Sequence, residues 1–295
     1  MTAASSAVPI VDSVQDIGKG YRAWFVDIWG VMHNGRTAFP EASAATRAFR
    51  DQGGVVVLLS NSPRPSPSVQ EQLRRLGVPD DAYDATVTSG DLTRHELAKH
   101  HGATVFHLGP ERDRPIFAGL DVTLGPHEAA ELVVCSGLFD DETEEPEDYA
   151  DLLRDLAARQ LPMICANPDR MVERGDRLLW CAGALAQLYE QQGGFVIYAG
   201  KPFAPIYRLA LETIGTLVGE RVAKDEILAI GDGVNTDIAG AAGVGIDACF
   251  VASGLHLPSN SGGECGAETL DRAHLAELFA DAERPPLGAM HALKW

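Results

Sequence analysis

Phe25-Val26-Asp27-Ile28-Trp29-Gly30-Val31 is the stretch on which the fold of this chain turns. An apolar run closes on a carboxylate and then on a glycine, the pattern of a buried parallel strand that delivers an acid to a tight turn. Ile230-Gly231-Asp232-Gly233-Val234-Asn235-Thr236-Asp237, far along the chain, repeats that pattern. Around the first stretch the sequence alternates between the two periods. Strand signals at Ala23–Ile28, Gly54–Leu59 and Ala85–Thr88 are separated by helical patterns at Pro40–Asp51 and Ser66–Leu76, with a further helix from Asp91. The alternation returns late, with a helix over Phe203–Val218, a strand over Glu226–Ile230, a helix after Asp237 and a strand over Ala248–Ala252. Val/Ile/Leu-rich strands alternating with helices predict an α/β fold, a doubly wound parallel sheet covered on both faces.

The middle of the chain has elements of its own. Strands are expected at Thr104–Leu108, Glu131–Cys135 and Pro162–Cys165, with a helix around Glu147–Arg159 and an acidic loop at Asp140–Glu147. That is enough for a small domain inserted in the sheet protein, with a first core part at 1–102, an insertion at 103–197 and a second core part at 198–295. Ser259–Gly263 with Gly266 is expected as an exposed loop and Leu270–Ala282 as a helix, and Pro285-Pro286 opens an expected loose tail.

A chain of 295 residues buries roughly 75% of its unfolded surface without external help. Its formal charge of -18 disfavours nucleic acid and anionic membrane surfaces as partners, since both are polyanions. Any anionic ligand would have to be drawn by a local positive site. The five cysteines show no C-x-x-C spacing and read as reduced, mostly buried thiols. Met1 to Asp12 shows neither the basic region nor the apolar core of a secretory signal, and no apolar run approaches the ~18 residues of a membrane span. A cytoplasmic protein is expected.

Ligands of open α/β sheets sit outside the carboxyl ends of the strands. Asp27, Ser60 and Asp232 each follow such an end, and Lys201 follows a strand over Phe195–Ala199. Carboxylates placed there suit Mg²⁺, which takes oxygen ligands and keeps waters beside a substrate phosphate. With Asp27-Ile28-Trp29-Gly30-Val31, Leu58-Leu59-Ser60-Asn61, Gly200-Lys201-Pro202 and Gly231-Asp232 with Asp237 in this order, the chain resembles the haloacid-dehalogenase-like hydrolase superfamily. Asn167-Pro168-Asp169 resembles the turn found in its class IIA cap group, which contains NagD-like, nitrophenylphosphatase-like and pyridoxal phosphate phosphatases.

The resemblance implies a Rossmann-like core with an inserted α/β cap, Mg²⁺ as cofactor, and hydrolysis of a small phosphorylated metabolite through an aspartyl phosphate. Asp27 would be the nucleophile, with Ser60, Asn61 and Lys201 on the phosphate and Lys201 shared with Asp27. Asp27, the backbone carbonyl of Trp29, Asp232 and Asp237 would serve the metal. Asn167 and Asp169 of the cap, with His33 of the flap after the first strand, would lie near the substrate. A homodimer paired through the cap is expected on the same ground.

Trp29 departs from the family pattern, which has at this position a second aspartate that protonates the leaving oxygen and later activates water. Loss of a positioned general acid/base costs about 10²–10⁴ in rate. Three readings stay open: a phosphatase with reduced or redirected turnover, a phospholigand-binding or regulatory protein, and a phosphonate-cleaving or phosphoryl-transfer enzyme. Single residues carry alternatives too. Trp29 fits a stacking platform or core packing. His33 fits a substitute base or a flap residue, and Asp237 fits a metal-site carboxylate or a first-turn acid favoured by the helix dipole. Ser60-Asn61 and Asn167-Pro168-Asp169 also suit plain turns, Lys201 a solvated lysine before a helix opened by Pro202, and Asp140–Glu147 a solvated loop.

Overall fold

The computed structural model describes residues 8–17, 20–174, 177–252 and 270–295. The expected loop at Ser259–Gly263 with Gly266, and Cys265, lie outside the described residues. In chain order the strands are β1 (Ala23–Asp27), β2 (Val55–Ser60), β3 (Ala85–Thr88), β4 (Thr104–Leu108), β5 (Thr123–Leu124), β6 (Leu132–Cys135), β7 (Pro162–Cys165), β8 (Met171–Arg174), β9 (Arg177–Trp180), β10 (Phe195–Tyr198), β11 (Ile227–Gly231), β12 (Asp247–Val251) and β13 (Gly288–Met290). The chain forms two compact units, one of Met1–Leu59, Leu73–Ala85 and Ala210–Trp295, the other of Ser60–Gln72 and Thr86–Leu209. Their boundary passes through the end of β2 and the start of β3.

The first sheet has the order β13-β12-β11-β1-β2-β3, with parallel pairing of β1 to β11 and β2 and of β12 to β11 and β13. Its central strands, Ala-Trp-Phe-Val-Asp and Ile-Leu-Ala-Ile-Gly, are buried along their whole length, as a sheet covered on both faces requires. The strand order reverses between β1 and β11, so the two stretches that dominate the sequence reading end side by side at the switch point. Val26 pairs with Ile230 in register, which brings Asp27 level with Gly231.

Past the proline pair the chain adds β13 to the sheet edge beside β12, with Ala289, Met290 and Leu293 buried. Trp295 tilts onto Trp24 and Phe49, at ring centroid distances of 5.9 and 6.2 Å, and those two rings stack at 3.9 Å. This corrects the expected loose tail. Three residues of Gly-Ala-Met carry no periodic signal, and their backbone partners come from distant segments, β12 on one side and Pro9 and Val11, each hydrogen-bonded to Ala289 at 2.9 Å, on the other. The helix expected over Leu270–Ala282 is shorter, Arg272–Leu278, and begins on an Asp271 cap whose side chain accepts the Ala273 N–H.

The second unit holds a five-stranded sheet in the order β10-β7-β6-β4-β5, parallel throughout, and the antiparallel hairpin β8-β9. Tyr149, Leu153, Leu156, Leu185 and Tyr189 form its core with Cys135, Met163 and Cys165 of the strands. The helix expected around Glu147–Arg159 is a 3-10 turn, Pro146–Tyr149, continuing as the helix Ala150–Ala158. The hairpin and the helix Ala182–Gln191 have no counterpart in the sequence reading. Cys135, Cys165, Cys181 and Cys249 are buried thiols outside any disulfide, and burial pushes Cys135 and Cys249 up to about 12, which disfavours the reactive thiolate.

Candidate active site

Three carboxylates converge in the first unit. Ligand oxygens of Asp27, Asp232 and Asp237 all lie within 4.8 Å of one another, with Asp27 and Asp237 buried. Asp27 closes β1 and Asp232 follows β11, so the parallel pairing itself brings them together. Asp237 arrives by another route. The segment Val234–Ile238 is a π-helical turn ahead of the helix Ala239–Val244, in which the Ile238 and Asp237 N–H groups both donate to the Gly233 carbonyl. Its carboxylate turns back to accept the Gly233 N–H at 3.1 Å. Asp237 therefore stands in a wide turn before the helix, a type of irregularity that concentrates at functional sites.

Two glycines make this packing possible. A Cβ on Gly30, whose φ is +85°, would sit 2.0 Å from Asp232 Oδ2, and one on Gly231 would sit 2.2 Å from Asp237 Cγ. Such a cluster of oxygens at close range repels itself and is suited to a hard cation with oxygen ligands. The donor set fits Mg²⁺.

The flap after β1 is a tight turn. Gly30 N–H donates to the His33 carbonyl and Met32 N–H to the Ile28 carbonyl, both at 2.9 Å. The indole of Trp29 lies over Gly35, where a Cβ would come within 2.5 Å of the ring, and meets the His33 ring edge-on at 5.1 Å. His33 is buried, and burial lowers its pKa to about 4. Its Nδ1 accepts the Gly35 N–H at 2.9 Å, so the neutral ring carries its proton on Nε2. Such an imidazole has no free lone pair for a second proton. His33 and Trp29 thus hold the flap, and the geometry offers no support for His33 as a base.

A hydrogen-bond network occupies the second unit. Asn61 accepts the Lys201 N–H on Oδ1 at 2.7 Å and donates from Nδ2 to Asp169 Oδ1 at 2.8 Å and to the Lys201 carbonyl at 3.1 Å. Asn167 Oδ1 accepts the Asp169 N–H at 3.1 Å, closing the Asn-Pro-Asp turn. Ser60 Oγ accepts the Ser62 N–H at 3.1 Å. Ser60, Asn61 and Lys201 are all buried, which sets aside the solvated lysine. The structure thus joins Asn61, Asp169 and Lys201, three sequence candidates from separate parts of the chain, around one amide. Gly200 is required by its neighbours, because a Cβ there would fall 2.4 Å from Ser89 Oγ and 2.7 Å from Asn61 Oδ1. Ser89, the first residue of the helix Ser89–Leu97, escaped the sequence reading, since nothing local distinguishes it from an ordinary helix start.

Asn61→Ala is expected to destabilise the protein by about 2–4 kcal/mol, because it removes the hydrogen bonds of a buried amide to the Lys201 backbone and to the half-buried Asp169. Asn61→Asp should fare no better, since it sets a carboxylate against Asp169. Thermal melts of both variants beside the native protein check this, and an unchanged midpoint would contradict it.

Comparison with known proteins agrees with this architecture. Residues 24–123 match the model of haloacid dehalogenase-like hydrolases, and residues 198–278 match a HAD-hydrolase-like model. A solved hydrolase of the haloacid dehalogenase-like family from Brucella suis 1330 is 46% identical, with a TM-score of 0.83, covering 96% of this chain and 100% of that one. The chain belongs to the haloacid dehalogenase-like hydrolase family. Among curated members, 5'-nucleotidase YutF of Bacillus subtilis is 27% identical over 80% of this chain and 89% of its own length. An acid sugar phosphatase of Staphylococcus epidermidis is 26% identical over 80% and 88%. NagD from E. coli K-12 shares the fold, with a TM-score of 0.64 at 20% identity over 93% of this chain and 97% of its own. Among the described residues, no helix of this family member is long and apolar enough to cross a membrane.

Proposed function

We propose that this hydrolase is a Mg²⁺-dependent phosphatase of small phosphorylated metabolites, working through an aspartyl phosphate on Asp27. The observation that carries the reading is the convergence of Asp27, Asp232 and Asp237 within 4.8 Å at the switch point of a parallel sheet. Curated relatives that are a 5'-nucleotidase and an acid sugar phosphatase support it. Mg²⁺, held by Asp27, Asp232, Asp237 and the Trp29 carbonyl, would neutralise charge on the phosphate.

In the proposed reaction a carboxylate oxygen of Asp27 bonds to phosphorus as the ester P–O bond breaks, and the departing oxygen takes a proton from water. A second water then cleaves the aspartyl phosphate, giving phosphate and restoring the carboxylate. Ser60 donates its hydroxyl to a phosphate oxygen, and Lys201 neutralises developing negative charge from a fixed position, which is where most catalysis of phosphoryl transfer resides. Asn61 and Asp169 set the Lys201 backbone. The inserted segment 103–197 is the cap that supplies specificity contacts, and cap surfaces pair two copies of this cytoplasmic protein.

Trp29 favours a second reading, a phospholigand-binding protein of negligible turnover. Phosphate release across alkyl, aryl, acyl and sugar phosphates with Mg²⁺ separates the two. Release above the background of the Asp27→Asn variant supports the phosphatase. None from any substrate, in protein shown to bind Mg²⁺, supports the binding protein. Mg²⁺ itself is expected to stabilise the native protein by about 2.7 kcal/mol at a hundred times its dissociation constant. At the same concentration the shift should at least halve in Asp232→Asn, as followed by thermal melts with and without a chelator. Equal shifts in both proteins would remove the carboxylates from the metal site.

A further inference from the structure

Read from its other edge, the sheet of the second unit has the order β5-β4-β6-β7-β10. That is a doubly wound 2-1-3-4-5 arrangement, whose direction of winding reverses between β4 and β6, and such sheets bind ligands outside the carboxyl ends of their strands at the reversal. A cavity of about 550 Å³ lies there, lined among others by His107 and Gly109 at the end of β4, Arg114 of the following turn, Leu124 at the end of β5 and Phe139 after β6. Its size is that of a small-molecule site. Both loops leave their strands on glycines, Gly109 with φ +155° and Gly137 with φ +156°, and a Cβ on Gly109 would fall 2.1 Å from Ser136 Oγ. The crevice is therefore shaped by backbone.

Its walls select a kind of ligand. Phe139 and Leu124 are 47% and 37% exposed, large apolar groups facing the opening. His107 stands at 2.9 Å from Ser136 Oγ, a half-buried imidazole whose pKa burial lowers to about 4. The guanidinium of Arg114 is paired with Glu111 at 2.8 Å. Apolar faces with one hydrogen-bonding imidazole, and a cation already paired with Glu111, suit a flat heteroaromatic group. They suit a bare sugar poorly, since its hydroxyls need many polar partners, and a second phosphate poorly, since Glu111 lines the crevice beside Arg114.

The same carboxyl edge carries the Asn167–Asp169 turn after β7 and Lys201 after β10. From β10 the crevice lies two to three strand spacings away, about 10–14 Å. We propose that this crevice is the base-binding subsite of a nucleoside monophosphate whose phosphate is held at Asn61 and Lys201. This deepens the phosphatase reading and rests on it for the phosphate end.

The test compares native protein with Phe139→Ala and Leu124→Ser, both changes at exposed positions. Nucleoside 5'-monophosphates are read against p-nitrophenyl phosphate, whose ring is bonded directly to the phosphate and is too short to reach the crevice. In Phe139→Ala the KM for the nucleotides is expected to rise about 10-fold or more, as loss of base stacking implies, with a smaller rise in Leu124→Ser and an unchanged kcat/KM for p-nitrophenyl phosphate. Equal effects on both substrate kinds, or none on the nucleotides, would overturn the subsite. Binding of unphosphorylated adenosine and uridine to Asp27→Asn protein, measured by NMR titration, keeps the test independent of turnover. Nucleoside binding weakened by Phe139→Ala would support the subsite even if no substrate were hydrolysed. Absence of nucleoside binding at millimolar concentration would count against it even if hydrolysis were brisk.

Discussion

Asp27→Asn is expected to lower phosphate release by on the order of 10⁴-fold or more while the protein stays folded. The carboxylate ends β1 in a fully buried strand, and its oxygens lie within 4.8 Å of those of Asp232 and Asp237. The amide has the same shape, so the pairing of β1 with β11 and β2 is preserved. What disappears is the proposed nucleophile, whose loss would leave only the contribution of binding and electrostatic stabilisation, as in other covalent mechanisms. Taking one negative charge out of a crowded carboxylate group also relieves repulsion, so the metal-free variant should melt no lower than the native protein. Its Mg²⁺-induced stabilisation should shrink at the same time. Phosphate release with a melting curve on each sample checks both halves. Residual activity within about tenfold of native would remove Asp27 from the chemistry.

The second large effect is a gain. Trp29→Asp is expected to raise kcat on alkyl phosphates by about 10²-fold or more, the usual contribution of a positioned general acid/base. On p-nitrophenyl phosphate, whose leaving group needs little protonation, the change should stay within a few-fold. Trp29 leaves β1 immediately before Gly30, whose backbone approaches Asp232 so closely that no Cβ would fit. A carboxylate at this position therefore starts one residue from the backbone that packs against Asp232. The indole it replaces lies across Gly35 and against His33. Its loss opens the flap and is expected to cost about 1–3 kcal/mol of stability, so the gain in rate should accompany a lower melting temperature. Rates on the two substrate kinds, measured side by side, decide the matter. A parallel rise on both would show that Trp29 acts on something other than proton transfer, and no rise on either would show that another group already carries the proton.

His33 shows how position in sequence and role separate. A histidine just past Asp27 suggests a replacement base, because its ordinary pKa lies near neutrality. In the folded chain it is buried, its pKa is near 4, and its Nδ1 is occupied by the Gly35 N–H. Asp237 shows the converse. As a residue in the sequence it reads equally as a helix-start acid, and only the π-turn Val234–Ile238 directs it back to Asp27 and Asp232.

The sequence by itself determined the alternation of strand and helix, the placement of Asp27, Ser60 and Asp232 at strand ends, and membership of the family. The first two follow from short-range rules, namely apolar runs, the period of side-chain burial, and glycine where a turn must pass close to another backbone, while membership of the family rests on the likeness of whole motifs to those of known proteins. Tertiary structure alone decided the addition of β13 to the sheet edge, the seating of Trp295 on Trp24 and Phe49, the bridging of Asp169 and Lys201 by Asn61, and the crevice at the reversal of the second sheet. Each of these depends on groups far apart in sequence whose hydrogen bonds and contacts exist only once the chain has closed on itself, and no local propensity encodes that closure.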